Sequence, residues 1–261
     1  MAKTKDPYLT IINAHTAYNA NDFKGFEYDE IAVAKGDRGK AKSLIEKHAH
    51  VALDAAITEL ENAGMPVTIN SSYRDFEDQQ YAIGEFYKKE LARNGNDEAL
   101  AKKETDEYCA KIGHSEHHSG LAVDLIIPTA NAVIPDKVKA LYDSPQYADK
   151  LGFMYKRLIL EKHGFILTYP KDDRIEAVTG MKHNESWHWR YVGPEHSQMI
   201  AKIRENVNKK LNQPYEIFLE DYVSLCNMKT LDSDKQQYVE ELGDLFIAKI
   251  LKLEQENAQT L

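Results

Sequence analysis

The stretch Gly113-His-Ser-Glu-His-His-Ser-Gly-Leu-Ala-Val-Asp124 and the residues Leu-Ile-Ile-Pro128 that follow it decide how this chain folds. Residues 121–127 form a short apolar run that ends at a proline, which predicts a β-strand. Asp124 interrupts the run, and a carboxylate in a buried strand is costly unless it is paired or binds a metal ion. His117 precedes the strand, and Gly120 allows the backbone to turn sharply between them. We therefore expect His117 and Asp124 to act together.

A second histidine and carboxylate cluster, Glu185-Ser-Trp-His-Trp-Arg190, begins the strand predicted at residues 187–192. Side chains alternate between the two faces of a strand, so a fully extended chain would place Glu185 on the tryptophan face, away from His188. Glu185 can approach His188 only if the backbone bends near Ser186. We predict that bend.

Together the two clusters offer the chemistry of a hydrolytic metal site. Two neutral imidazoles and one carboxylate suit Zn²⁺ with a fourth position open for water, and a further carboxylate can accept a proton from that water. On this hypothesis His117, Asp124 and His188 are the metal ligands and Glu185 is the base. The chain has no His-Glu-x-x-His helix, so the thermolysin arrangement is excluded. The spacing alone leaves open whether the two clusters meet.

The first cluster also carries a resemblance to a known family. Ser115-x-His117-x-x-Gly120-x-Ala122-x-Asp124 resembles the Ser-x-His-x-x-Gly-x-Ala-x-Asp signature of the VanY-type D-alanyl-D-alanine carboxypeptidases, LAS-type zinc peptidases with L,D-carboxypeptidase relatives.

Other segments are similar to the same family and occur in its order. Glu185-x-Trp187-His188 resembles the family's Glu-Pro-Trp-His signature, with Ser186 in place of the proline. The segment 72–74, Ser-Tyr-Arg, with Gln79 downstream, resembles its Ser-Gly-Tyr-Arg segment. Segments 164–170 and 190–193 match as well, and the resemblance covers roughly residues 8–210.

The resemblance implies an α+β fold in which a small antiparallel sheet, flanked by helices, cradles one zinc ion. It implies a zinc carboxypeptidase that hydrolyses the C-terminal D-Ala bond of peptidoglycan stem peptides or muropeptides, with D,D- or L,D-specificity. The matched positions imply zinc ligands, a catalytic base, an arginine beside the scissile carbonyl and two substrate contacts: His117, Asp124 and His188; Glu185; Arg74; Gln79 and Ser115.

Two kinds of alternative remain. A related hydrolase would cut elsewhere, as a D-Ala-D-Ala dipeptidase or an endolysin-type peptidoglycan endopeptidase. A catalytically silent, zinc-containing cell-wall binding module belongs to another class. Glu185 argues against the silent module, because binding alone would not need that base.

Composition excludes several other classes. The chain has 261 residues, of which 43% are hydrophobic and 29% charged, as in a globular protein with a substantial core. A net charge of −9 makes a nucleic-acid partner unexpected. No apolar run approaches the roughly 20 residues of a transmembrane helix. Cys109 and Cys226 form neither a disulfide framework nor a thiolate zinc site.

Short strands scattered among helices favour an α+β class over a doubly wound sheet. Among the helices, residues 39–61 are predicted as one long helix and Pro194 as the start of another. From residue 214 the chain becomes acidic, with ten Asp or Glu against four Lys or Arg. A capping box, Ser233 with Gln236, precedes an apolar stripe at helical spacing. We predict a catalytic domain at 1–213 and an acidic C-terminal helical extension at 214–261.

The compartment is open to two interpretations. The first residues contain no signal-peptide apolar region or cleavage site. A wall substrate favours an extracytoplasmic location, at the cell wall or membrane, with the leader absent from this chain. The alternative is a cytoplasmic protein.

Overall fold

The computed structural model describes residues 6–34, 37–141, 150–228 and 235–258. The strands are β1 Tyr28–Ala32, β2 Lys42–Glu46, β3 Thr68–Ser71, β4 Ala122–Ile126, β5 Phe165–Leu167 and β6 His188–Tyr191. The helices are α1 Lys47–Asn62, α2 Phe76–Arg93, α3 Glu98–Tyr108, α4 Asp136–Leu141, α5 Leu151–Lys162, α6 Ile175–Thr179, α7 Pro194–Leu211, α8 Leu219–Met228 and α9 Lys235–Ala258. Short 3-10 helices cover Pro7–Leu9, Ala20–Phe23, Asp37–Gly39 and Glu116–Ser119.

Within the described residues, a four-stranded antiparallel sheet has the order β3-β4-β6-β5. Residues on β4 and β6 face each other in the pairs Ala122 with Arg190 and Asp124 with His188. β3 adds an irregularity between Ile69 and Ser71. The prediction of an α+β fold with a small antiparallel sheet is confirmed.

The predicted helix over 39–61 is wrong in its first part, because residues 42–46 form a hairpin with residues 28–32. The strands pair antiparallel from Tyr28 with Glu46 to Ala32 with Lys42, so helix α1 begins only at Lys47. The Glu46 carboxylate caps α1 by accepting a hydrogen bond of 2.9 Å from Ala49 N–H. The apolar stripe of α1 packs in the main core. The residues just before it, 42–46, form backbone hydrogen bonds with β1 instead of continuing the helix.

The C-terminal helices pack on the sheet. Buried side chains of α7, α8 and α9 share one apolar cluster with Ile166 of β5 and with Val192, which follows β6. Phe218, just before α8, packs with Tyr169, Ile175 and Met181. The division of the chain at residue 214 stays a prediction. Ser233 of the expected capping box lies outside the described residues.

No helix in the described part of the chain is long and apolar enough to cross a membrane.

Candidate metal centre and active site

The sheet register brings the two predicted clusters together. Asp124 on β4 lies directly opposite His188 on β6. His117 reaches the same place from the short 3-10 helix Glu116–Ser119, which ends at Gly120 with φ of 72°. A Cβ on Gly120 would lie 2.5 Å from Cε1 of Tyr28, so only glycine allows this turn into β4.

Three donor atoms converge at the centre of the site. His117 Nε2 lies 3.4 Å from Asp124 Oδ1, and His188 Nδ1 lies 3.2 Å from the same oxygen. All three donors lie within 4.8 Å of one another. Ligands about 2.1 Å from a tetrahedral zinc ion are separated by roughly 3.4 Å, so the spacing suits one ion.

Hydrogen bonds on the far sides of both rings determine which nitrogens face the centre. His117 Nδ1 donates to the carbonyl oxygen of Ser72 at 2.5 Å. His188 Nε2 donates to Glu116 Oε2 at 2.9 Å. In a neutral ring, each remaining nitrogen then carries a lone pair. Both lone pairs point toward the Asp124 carboxylate.

This donor set fits a cation. His117 Nε2 is buried, and the described residues give it no hydrogen-bond partner. Two lone pairs and a carboxylate facing one another repel unless a proton or a metal ion lies between them. Neutral imidazoles with one carboxylate are ligands that zinc prefers, and partners behind the rings are typical of zinc histidines.

The electrostatics of the two rings differ. Burial lowers the pKa of His117, and the Arg74 charge lowers it further, which favours a neutral ring. Burial also opposes a charge on His188, but hydrogen bonds with Asp124 and Glu116 outweigh it and raise its pKa to about 10. The carboxylates around His188 therefore favour positive charge at this point.

The predicted bend before His188 is confirmed. The His188 N–H donates to the Glu185 carbonyl at 3.3 Å, which closes a turn at residues 186–187 and brings the Glu185 side chain to the side of His188. Glu185 Oε2 lies 3.9 Å from His188 Nδ1. Burial raises the pKa of the Glu185 carboxyl to about 7. A carboxyl with that pKa can exchange protons near neutral pH.

Arg74 lies beside Asp124 and is bonded to Gln79. Arg74 Nη2 is 3.6 Å from Asp124 Oδ2, and its Nη1 donates to Gln79 Oε1 at 2.9 Å. The Gln79 amide donates to the Ala110 carbonyl at 2.7 Å. Both ends of the Gln79 amide are thus engaged within the protein, which favours a role in orienting Arg74. Ser115 caps the 3-10 helix that holds His117.

All of the predicted site residues line one cavity of about 100 Å³: Arg74, Gln79, Ser115, His117, Asp124, Glu185 and His188. Trp187 is 43% exposed and also lines this cavity, whereas Trp189 is fully buried in the core. Cys109 lines the cavity too, and burial raises the pKa of its thiol to about 12, so it stays a neutral thiol. Cys109 and Cys226 are free thiols.

Two contacts join the loop that carries Glu185 to the end of α3. The rings of Tyr108 and His183 stack with centroids 3.7 Å apart. Lys182 pairs with Glu107 at 3.1 Å. The loop before β6 is therefore tied to the end of α3, which limits how far Glu185 can move.

Sequence reasoning missed the polar side chains behind His188. Glu116 is 2% exposed and contacts His188, Arg190 and Thr168. Glu116 stands inside the first motif, and Arg190 follows His188 on the same face of β6, two positions on. An acidic residue beside a candidate ligand and a basic residue in a buried strand were the signals that could have indicated this cluster.

Comparison with known proteins agrees with this geometry. The family model described as VanY, D-alanyl-D-alanine carboxypeptidase, matches residues 42–194, which include every residue of the site. The chain belongs to the VanY family.

The VanY relatives include a D-alanyl-D-alanine carboxypeptidase of Enterococcus faecalis, 33% identical over 141 residues, which are 52% of this chain and 44% of that protein. A bifunctional D-Ala-D-Ala dipeptidase and D-Ala-D-Ala carboxypeptidase, VanXYC of Enterococcus gallinarum, is 36% identical over 97 residues, or 37% of this chain and 46% of that protein. The chain thus spans less than half the length of these curated relatives.

Solved VanY structures share the fold. A mutant of the vancomycin resistance D,D-pentapeptidase VanY from a VanB-type cassette, in complex with Zn(II), has a TM-score of 0.56 at 22% identity, covering 83% of this chain and 99% of that one. VanYB in complex with D-alanine-D-alanine has a TM-score of 0.53 at 23% identity, covering 83% of this chain and 97% of that one.

Proposed function

We propose that this protein is a zinc-dependent peptidase that removes the C-terminal D-Ala residue from peptidoglycan stem peptides. The observation that carries the proposal is the convergence of two imidazole lone pairs, a carboxylate, a buried glutamic acid and an arginine on one cavity. Family membership supports the reaction class.

His117 Nε2, Asp124 and His188 Nδ1 would hold the metal ion. Zinc bound there would supply a Lewis acid that polarises a carbonyl group and makes water more acidic. Three protein ligands would leave a coordination position open, as catalytic zinc sites do.

Glu185 would accept a proton from the attacking water and later donate it to the leaving amine. Its pKa of about 7, raised by burial, lets it act in both directions near neutral pH. Arg74 would stabilise the negative charge that develops on the scissile carbonyl oxygen, with Gln79 holding the guanidinium in place. Ser115 stays a proposed substrate contact at the cavity wall.

The substrate would be a short peptide, because relatives are named for D-Ala-D-Ala cleavage and one solved neighbour holds D-alanine-D-alanine. Dipeptidase activity is the second candidate, since one relative is named for both activities. Stem peptides lie outside the cytoplasmic membrane, so we propose an extracytoplasmic site of action. A role without nucleic acid stays a prediction from charge.

The test is to measure D-Ala released from a pentapeptide, a tetrapeptide and free D-Ala-D-Ala by the full chain. Activity should disappear with a chelator and return with Zn²⁺. Cleavage of the pentapeptide indicates D,D-specificity, cleavage of the tetrapeptide L,D-specificity, and cleavage of the free dipeptide a dipeptidase. Full turnover in metal-free protein would overturn the zinc mechanism, and zinc binding without cleavage of any substrate would favour a binding module.

We also propose that residues 1–213 form the catalytic unit and 214–261 a supporting segment. Every proposed site residue lies in the first part. The second reaches the site indirectly, because Phe218 packs on Tyr169 and Met181, which line the cavity.

A further inference from the structure

Behind His188 the structure contains a buried polar cluster with no assigned role. Glu116 is 2% exposed. Its Oε2 accepts hydrogen bonds from His188 Nε2 at 2.9 Å and from the Thr168 hydroxyl at 2.8 Å. Its Oε1 accepts from Arg190 Nη1 at 3.3 Å. Each carboxylate oxygen therefore has a donor, and one of these donors is the back of a proposed metal ligand.

Arg190 fixes the carboxylate from the other side. It is fully buried, and its Nη2 and Nε donate to the carbonyls of Thr10 at 3.2 Å and Tyr191 at 3.3 Å. A buried guanidinium held at three points cannot easily move away from Glu116. It also favours the ionised carboxylate, which can only accept hydrogen bonds.

This has a direct consequence for His188. An ionised Glu116 requires the proton of a neutral His188 ring to be on Nε2, so the lone pair is on Nδ1. Nδ1 is the atom that faces Asp124 at 3.2 Å. If the proton moved to Nδ1, the ring could not donate a lone pair to a metal ion at that position.

We propose that Glu116, held by Arg190, is a positioning residue that sets the tautomer and ring orientation of His188 for zinc binding. The inference rests on the proposed function, because it assumes that the site binds zinc. A carboxylate behind a zinc histidine typically contributes 10–100-fold to metal affinity or activity.

A purely structural role is the competing explanation. In that case Glu116 would serve only to neutralise the buried charge of Arg190. The two roles separate in a double-mutant cycle of Glu116→Gln, Arg190→Met and the combined variant. The combined variant has no unpaired buried arginine, because both charges are gone, but its His188 still lacks the carboxylate.

The measurements are the zinc dissociation constant, by competition with a chromophoric chelator, and the thermal midpoint of the metal-free protein. Glu116→Gln should weaken zinc binding about 10–100-fold. In the combined variant the thermal midpoint should recover toward that of the original protein, while zinc binding stays weak. The pair also keeps the test decisive if Glu116→Gln alone does not fold.

Glu116→Asp provides a third arm. It keeps the charge beside Arg190 and withdraws the carboxylate from His188 by one methylene group, so zinc binding should weaken even though the buried arginine stays neutralised.

Glu161→Gln is the matched control. Glu161 is equally buried and bonds to two arginines, but it contacts no proposed ligand. It should lower the thermal midpoint and leave zinc binding unchanged.

The outcomes are distinguishable. If the original protein binds no zinc, the proposed function fails. If it binds zinc, and Glu116→Gln binds it within twofold or the combined variant regains the original affinity, the positioning role of Glu116 is overturned.

Discussion

Glu116 and Glu161 are both 2% exposed and both bond to arginine, yet they lie in different surroundings. Glu161 on α5 accepts from Arg157 at 2.7 Å and from two nitrogens of Arg204 at 2.6 and 2.8 Å. All of these partners are side chains of the helical layer. Glu116 has one arginine, and its other main partner is a histidine whose far side faces the cavity.

The difference shows that a buried carboxylate can affect a neighbouring site as well as the stability of the fold. Burial opposes ionisation of both carboxyls, but neighbouring cations outweigh it and lower the pKa of each. Around Glu161 the charges are balanced within the protein, because Arg157 also bonds to the Glu216 carboxylate and two arginines therefore face two carboxylates. The Glu161 cluster joins α5 to α7. Around Glu116 the balance includes His188, so the same chemistry extends to the proposed metal site.

The largest effect is expected at the cavity. Glu185→Gln keeps size and hydrogen bonding but cannot accept a proton, so kcat should fall by about 10²–10⁴. Zinc should stay bound, because Glu185 lies outside the proposed ligand set. His188→Ala is the contrast and should weaken zinc binding itself. Zinc content and kcat are measured side by side; loss of zinc in Glu185→Gln would make Glu185 a ligand.

In the helical cluster the effect should be on stability alone. Arg204→Met leaves Glu161 with only Arg157, and removing one partner of a buried pair typically costs about 3–5 kcal/mol. Urea unfolding measures the loss, while kcat and zinc content of the folded variant should match the original protein. A changed zinc affinity would show that the two clusters are coupled and would break the comparison.

The apolar packing offers a parallel test. Phe218→Ala removes a buried ring behind Tyr169 and Met181 and should cost about 3–5 kcal/mol. Because those two residues line the cavity, KM should also rise. Leu242→Ala, in the cluster of the C-terminal helices, is the control and should lower stability without moving KM. If both variants have the same KM, packing by the C-terminal segment does not affect the site.

Glu220 is a third mostly buried glutamate, and its carboxylate bonds to the amide of Asn13 rather than to a cation. Burial accordingly raises its pKa to about 7, the opposite direction from Glu116 and Glu161. The folded state thus retains a proton that the unfolded chain releases near its ordinary value of 4.5.

Stability should therefore fall as pH rises from about 4.5 to 7, by at most about 3.5 kcal/mol from this group at about 1.4 kcal/mol per pKa unit. Glu220→Gln should reduce the fall in unfolding free energy between pH 5 and pH 8 by this contribution, while Glu185, whose pKa is also raised to about 7, contributes to the fall that remains. The exposed Glu205→Gln is the control; if both variants keep the original pH dependence, Glu220 is not its source.

The sequence predicted the parts of the site that lie in short motifs. The role of Asp124 in an apolar run and the bend at Ser186 could both be predicted from the local sequence, because each follows from the alternation of side chains on a strand. The helix that begins at Pro194 could also be predicted, for a different local reason, since proline favours the first turn of a helix.

Features that depend on contacts between residues far apart in the sequence could not be predicted. Residues 42–46 look helical alone but pair with 28–32, so tertiary contacts override the local pattern. Glu116 and Arg190 are separated by 74 positions, and only the folded structure shows that they meet. Gln79 as a substrate contact stays a prediction, and its hydrogen bond to the Ala110 carbonyl, which lies after α3 along the chain, could not be foreseen.

The strand order also has a consequence for the time course of folding. β6 is the last of the four sheet strands along the chain, yet it inserts between β4 and β5. Until it emerges during synthesis, both of those strands present unpaired backbone edges, which are prone to association with other chains. His188 and Asp124 are 64 positions apart, a non-local contact of the kind that slows folding. The proposed metal centre is thus completed only when the sheet closes, so recovery of zinc binding during refolding should report that closing step.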